Sequence, residues 1–367
     1  MKYLKILSLF LIVALQSCVS ADEDPVSVSP MTGSEIDAKV GGATQPNQVW
    51  IDLSDSKNPK SNVRTSWDLG FFGGDEYRVI INGAIGMAVG KIPNATNIDN
   101  VKSSDVSNLK GVVQIGTFTA ANLEYVDNPN GNFLNETTGI AEIKVNDAEN
   151  PIYLVNMGRA IPPTTNIAPG SVSLTGDTRG WKKIQIVRAT NGYKIKFANL
   201  DDSSHQEYII AKNSEYNFNF FSLISGATVE VQPKKKNWDL AFTTFTNEVF
   251  LGPGQSAGSY FYADFIVTNT VGGVGAYQVD VPTGQTLDQV YGSFKLNNIE
   301  ASKFVFNDHR AIGDKWRTTT GTNGAQVYTN RFFVIKDAEG FYFKLRFNKM
   351  TNDTGERGHA NFEFEPL

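Results

Sequence analysis

Cysteine is almost missing from this chain. Cys18 is the single one in 367 residues, so no disulfide can form within the chain and its stability must come from packing. Histidine is nearly as scarce, at three residues, and no His/Cys/Asp cluster has the spacing of a metal site. An excess of positive charge is lacking too. The formal net charge is −5 with both signs mixed, which argues against nucleic acid as a partner. Beyond Leu15 no long apolar run occurs, so no transmembrane helix is expected. Gly252-Pro253-Gly254-Gln255-Ser256 lacks the Gly-x-Ser-x-Gly frame of a nucleophile elbow, and phosphate-loop glycine patterns are absent. A non-enzymatic protein is the expectation.

What is present begins with an export signal, residues 1–17. Lys2 and Lys5 form a positive start, and Ile6 to Leu15 is an apolar run too short for a stable membrane span. It ends at Leu15-Gln16-Ser17-Cys18, which looks like a bacterial lipoprotein cleavage site. Lipidation of Cys18 would anchor the protein without spanning the bilayer. Asp22-Glu23-Asp24 follows, resembling the acidic export tag of Bacteroidetes surface lipoproteins. Residues 18–31 read as a flexible stalk, placing the protein at the outer membrane and facing the exterior.

The rest reads as all-β. Phe341, Phe343, Leu345 and Phe347 alternate with Tyr342, Lys344, Arg346 and Asn348, a period of two that puts the apolar residues on one face. Ile184, Ile186, Ile195 and Phe197 alternate about Asn191-Gly192, a favoured two-residue hairpin turn. Val49–Leu53, Tyr77–Ile81, Asn217–Phe221 and Tyr260–Val267 also read as strands. Thirty-three glycines and many polar turn residues punctuate them, as in a sandwich or barrel. Asp105 to Leu109 suits one helical turn, and 127–139 and 161–178 read as irregular loops.

One two-part pattern occurs twice. Thr65-Ser66-Trp67-Asp68-Leu69-Gly70-Phe71 is matched by Lys236-Asn237-Trp238-Asp239-Leu240-Ala241-Phe242. The 184–197 hairpin is matched by Phe332–Ile335 turning at Glu339-Gly340 into Tyr342–Phe347. Two related antiparallel β units in tandem follow, with residues 32–204 as the first and 205–367 as the second. The break is placed at the polar stretch Ala198 to Ser204. Trp67 and Trp238 are expected as core anchors on their strands.

The second unit resembles the HmuY family of haem-binding surface lipoproteins from Bacteroidetes. Asn217–Leu223 with Val229-Glu230-Val231, the Trp238-Asp239 strand, the Asn330–Phe347 hairpin and Phe362-Glu363-Phe364-Glu365 follow that family's order. The first unit resembles a diverged copy. The resemblance implies an all-β fold that captures haem and passes it to a TonB-dependent outer-membrane receptor. Apolar walls, axial His or Met ligands and basic groups for the propionates would do this. The alternative is an HmuY-like surface interaction or adhesion module without haem binding.

The resemblance also implies where ligands would fall. The loop Trp316 to Ala325, which carries a ligand histidine in some family members, holds neither His nor Met here. In 297–314 the only ligand-capable side chain is His309, flanked by Arg310 and followed by Lys315 and Arg317, which could pair with propionates. His309 is thus the candidate metal ligand. Met350 and His359 bracket the loop 351–358 and are further candidates, while Met87 reads as core. The candidate cofactor-binding set is His309, Met350, His359, Arg310 and Arg317.

Overall fold

A computed structural model of the chain describes residues 31–320 and 324–367. Residues 1–17, Cys18 and the stalk up to Pro30 lie outside the described residues. Among the described residues no helix is long and apolar enough to cross a membrane.

The first half contributes β1 (Ser34–Ala38), β2 (Asn47–Ile51), β3 (Lys60–Val63), β4 (Leu69–Phe72), β5 (Val79–Ile81), β6 (Ala88–Lys91), β7 (Ile152–Asn156), β8 (Trp181–Ala189) and β9 (Gly192–Asn199). The second contributes β10 (Gln206–Ala211), β11 (Phe218–Ser222), β12 (Ala227–Val229), β13 (Leu240–Gly252), β14 (Gln255–Thr268), β15 (Gly275–Asp280), β16 (Arg317–Thr318), β17 (Gln326–Val327), β18 (Arg331–Lys336), β19 (Tyr342–Thr351) and β20 (Arg357–Pro366). The named strand pairings are all antiparallel, as the all-β reading requires. The helical turn expected at 105–109 is there, within a 3-10 turn at Ser103–Val106 and the helix α1 (Ser107–Val112).

The sheets do not follow the order of the chain. Two large sheets run β10-β9-β8-β7-β6 and β1-β20-β19-β18-β15. Two smaller ones run β12-β11-β4-β5 and β14-β13-β2-β3. The second half therefore lends β10, β11 and β12 to sheets of the first, and the first lends β1, β2 and β3 to sheets of the second. Gly33–Leu367 form one compact unit. The stretch Leu200–His205 is the turn joining β9 to β10, which pair from Gln206↔Phe197 to Ala211↔Gly192.

The recurring Trp-Asp motif is where the exchange is made. Trp67-Asp68 and Trp238-Asp239 stand just before their strands rather than on them, so their backbone groups are free for other partners. The Asp68 N–H donates to the Phe221 carbonyl (2.9 Å) and its carboxylate accepts from the Leu223 N–H (2.7 Å). The Asp239 N–H donates to the Ile51 carbonyl (2.7 Å) and its carboxylate accepts from the Leu53 N–H (2.8 Å). Asn82 then ties Trp67 O to the following turn, and Asn269 does the same for Trp238 O, both at 2.8 Å. Trp67 and Trp238 are buried as core anchors, in one cluster with Trp50, Phe218 and Phe220 that draws on both halves.

One of the two hairpin turns differs from expectation. At the 184–197 hairpin Ala189 pairs with Gly192, so Thr190 and Asn191 form the turn, and Asn191 takes the positive φ of 53°. Gly192 is already strand. A Cβ there would lie 2.2 Å from the Ile210 carbonyl oxygen of β10, so the glycine serves strand approach rather than the turn. In the second hairpin the turn is where expected, with Gly340 at φ 98°.

Candidate functional site

Strand β14 walls a cleft that joins aromatic and cationic side chains. β14 carries Tyr260-Phe261-Tyr262 in sequence, so aromatic rings project to both faces of one strand. Beyond them Asp264 takes a positive φ of 49°, a conformation that Asp adopts more readily than most residues. That kink is pinned from three sides. The Asp264 N–H donates to Gln45 Oε1 (2.9 Å), Gln45 Nε2 donates to Asp264 Oδ1 (2.6 Å), and Arg357 Nε donates to Asp264 Oδ2 (2.9 Å). The turned strand presents the Ala263 carbonyl to Arg317, whose Nη2 donates to it at 2.6 Å.

The resulting cleft has a volume of about 550 Å³. This lies in the ordinary range for small-molecule sites, roughly 300–1,000 Å³. Arg159, Arg317 and Arg357 line it with the three aromatics, and no carboxylate does. Arg159 is exposed, whereas Arg317 is 8% exposed and its Nε has no hydrogen-bond partner. Burial lowers the Arg317 pKa from its ordinary value, with Asp264 opposing that shift. An unpaired buried guanidinium N–H costs free energy that an anionic ligand would return. The cleft thus suits a flat, apolar molecule with acidic groups. No His, Cys or Met lines it, and Tyr260 and Tyr262 are the side chains in it able to bind iron.

The sequence-predicted site residues are not brought together. Arg317 is in the cleft. His309 is not: it is buried at the edge of a smaller cavity between the halves. Its Nε2–H donates to the Pro129 carbonyl at 2.8 Å, and the ring stands edge-on to Phe133 and Phe245. Burial pulls its pKa down to about 4, so the ring is neutral. Arg310 is committed to Asp308 (2.8 Å) and to Asn247 (3.2 Å). Met350 is in the core at 2% exposed, while His359 on β20 is half-buried and bonds Glu356 at 3.0 Å. Met87 is core, as expected. Among the described residues no group of three or more His, Cys, Asp or Glu side chains could hold a metal ion.

Sequence reasoning missed Arg159, Arg357 and the aromatic triplet. The triplet had a visible signal, since three consecutive aromatics break the period of two expected for a strand with one wet face. Nothing local marked Arg159 or Arg357, which reach the cleft from distant segments.

Comparison with known proteins agrees with the fold. The family model described as HmuY protein matches residues 44–212 and again 214–364. The chain belongs to the HmuY family, whose members are binding and transport proteins related to haem, with two copies in tandem. No curated protein matches it. Among solved structures, it is similar to the apo HmuY analog (TFO) of Tannerella forsythia, with 18% identity over 51% of this chain and 95% of that one, at a TM-score of 0.19. It is also similar to apo PinO, given as from Porphyromonas gingivitis, with 14% identity over 51% of this chain and 95% of that one, at a TM-score of 0.17.

Proposed function

We propose that this chain is a lipid-anchored surface protein that captures haem without catalysis and passes it to a TonB-dependent outer-membrane receptor. Membership of the HmuY family supports the ligand class. The observation that carries the reading to particular residues is the cleft lined by three arginines and no carboxylate. In it Arg159 and Arg317 would meet the propionates, Arg357 being paired with Asp264, and Tyr260, Phe261 and Tyr262 with Ile85, Ile115 and Leu174 would supply the apolar wall. Tyr260 or Tyr262 would supply an oxygen ligand to the iron. Haem would supply its own iron chemistry; the protein's part is to bind, orient and shield it. Lipidation of Cys18 and surface exposure belong to the same reading.

A second reading, an HmuY-like interaction module without haem, is favoured by the lack of His and Met in the cleft. One titration separates them. The purified chain is mixed with increasing haemin and absorbance is recorded in both oxidation states. A saturable, shifted Soret band at one haem per chain, with affinity at least tenfold weaker in Arg317→Ala, is expected. Spectra of free haemin throughout would favour the interaction module.

A further inference from the structure

We propose that the cavity between the two Trp-Asp motifs is a second binding site, for a small, uncharged, largely apolar molecule bearing one hydrogen-bond acceptor. The cavity measures about 110 Å³. It is comparable with an engineered apolar cavity of about 150 Å³ that binds benzene. Trp50, Trp67, Phe133, Phe218 and Val267 give it apolar walls drawn from both halves.

The ligand class follows from a broken equivalence. Leu69 pairs with Phe221 and Leu240 with Ile51, so counting back three residues makes Phe218 and Gln48 equivalent. In one motif the Trp67 indole N–H donates to Gln48 Oε1 at 2.8 Å. In the other, phenylalanine stands where glutamine would, and Trp238 Nε1 has no partner although the residue is only 3% exposed. Thr268, 1% exposed, also has an unpaired Oγ1, and both residues line the cavity. Leaving such groups unpaired is costly, and a ligand acceptor would relieve both.

Charge is selected against. No Lys or Arg lines the cavity and His309 at its edge is neutral, so nothing there pairs with an anion. A cation would lose its hydration against the aromatic walls. A ketone, ether or phenol of about six carbons meets every condition.

The test uses the full chain with ¹⁵N-labelled tryptophan. The Trp238 indole N–H signal is assigned by loss in Trp238→Phe, and cyclohexanone and benzene are titrated separately. A saturable downfield shift of that signal with cyclohexanone is expected, with affinity about fivefold above that of benzene. Phe218→Gln, which restores the internal acceptor, should weaken cyclohexanone binding about tenfold. Thr268→Val gives a second variant should Phe218→Gln fail to fold, and it should weaken binding several-fold. No saturable shift at the solubility limit would overturn the proposal. So would a Trp238 signal that exchanges with cavity water and is not displaced by cyclohexanone.

Discussion

Asp68 and Asp239 hold equivalent positions, yet only Asp68 faces a cation. Arg179 Nη1 lies 2.8 Å from Asp68 Oδ1, whereas the charges around Asp239 are those of Asp52, Asp337 and Glu339. Burial raises both pKa values; Arg179 opposes the shift at Asp68, and the neighbouring carboxylates add to it at Asp239. The two carboxylates make the same backbone bond but stand in opposite electrostatic settings.

Substitution should separate them. Asp68→Asn takes the charged partner from the half-buried Arg179 and is expected to cost about 2 kcal/mol. Asp239→Asn keeps an acceptor for the Leu53 N–H and removes a disfavoured charge, so at pH 8 it should be neutral or stabilising. Urea unfolding of both variants at pH 8 checks this; equal losses would contradict it.

The strand exchange predicts which fragments fold. Residues 65–231 contain β4 to β12, including the whole of one large sheet, one small sheet and the core cluster from Leu69 to Leu223. Residues 32–204 lack β10, β11 and β12, and carry β1 without β20 and the β2–β3 pair without β13. The 65–231 fragment is expected to show dispersed amide signals and cooperative urea unfolding, and the 32–204 fragment to lack both. The opposite outcome would mean that pairing follows the chain halves when they are separated.

Two groups at the inter-half cavity should respond to pH in opposite senses. His309, with its pKa pulled down to about 4, binds fewer protons folded than unfolded. It therefore destabilises as pH falls from about 6.5 toward 4. Asp127, whose burial pushes its pKa up to about 7, binds more protons folded and lowers stability as pH rises from about 4 to 7. His309→Phe should flatten the acid loss, and Asp127→Asn should flatten the loss toward neutrality. Unfolding midpoints between pH 4.5 and 8 for the two variants decide it.

Glycines that admit close approach should not tolerate a methyl group. At Gly131, φ is 74° and a Cβ would fall 2.2 Å from His309 Nδ1. Gly131→Ala is expected to cost about 2 kcal/mol or more, from the φ and the clash together. Gly192→Ala, facing the Ile210 carbonyl, should cost a similar amount. Gly324→Ala is the control for crowding: its φ is 66° but nothing lies within 4 Å, so only the backbone term remains. Thermal unfolding ranks the three.

Local features were readable because they are local. The alternation in 341–347 and 184–197 specified β19, β8 and β9, and the recurrence of Trp-Asp marked two related copies. The turn at Asn191 was misplaced by one residue because Gly192 answers to β10 rather than to the turn. The candidate haem ligands were chosen by residue type along the chain, but burial and bonding at Pro129 place His309 away from the cleft. Arg317 was identified from its charge; its companions Arg159 and Arg357 come from segments that no spacing rule connects.

The sequence by itself determined that the chain is antiparallel β, that it holds two related copies, and that its family is HmuY. Periodicity and motif order are properties of short segments, and they survive any arrangement of those segments. Only the tertiary structure decided that β1–β3 and β10–β12 change places, and which side chains meet in the cleft and the cavity. Alternation tells a strand which face to bury, but its backbone N–H and C=O groups will pair with any edge of matching register. The choice among edges is made by contacts such as Asp68 with Leu223 and Asp239 with Leu53, which exist only once the chain has closed.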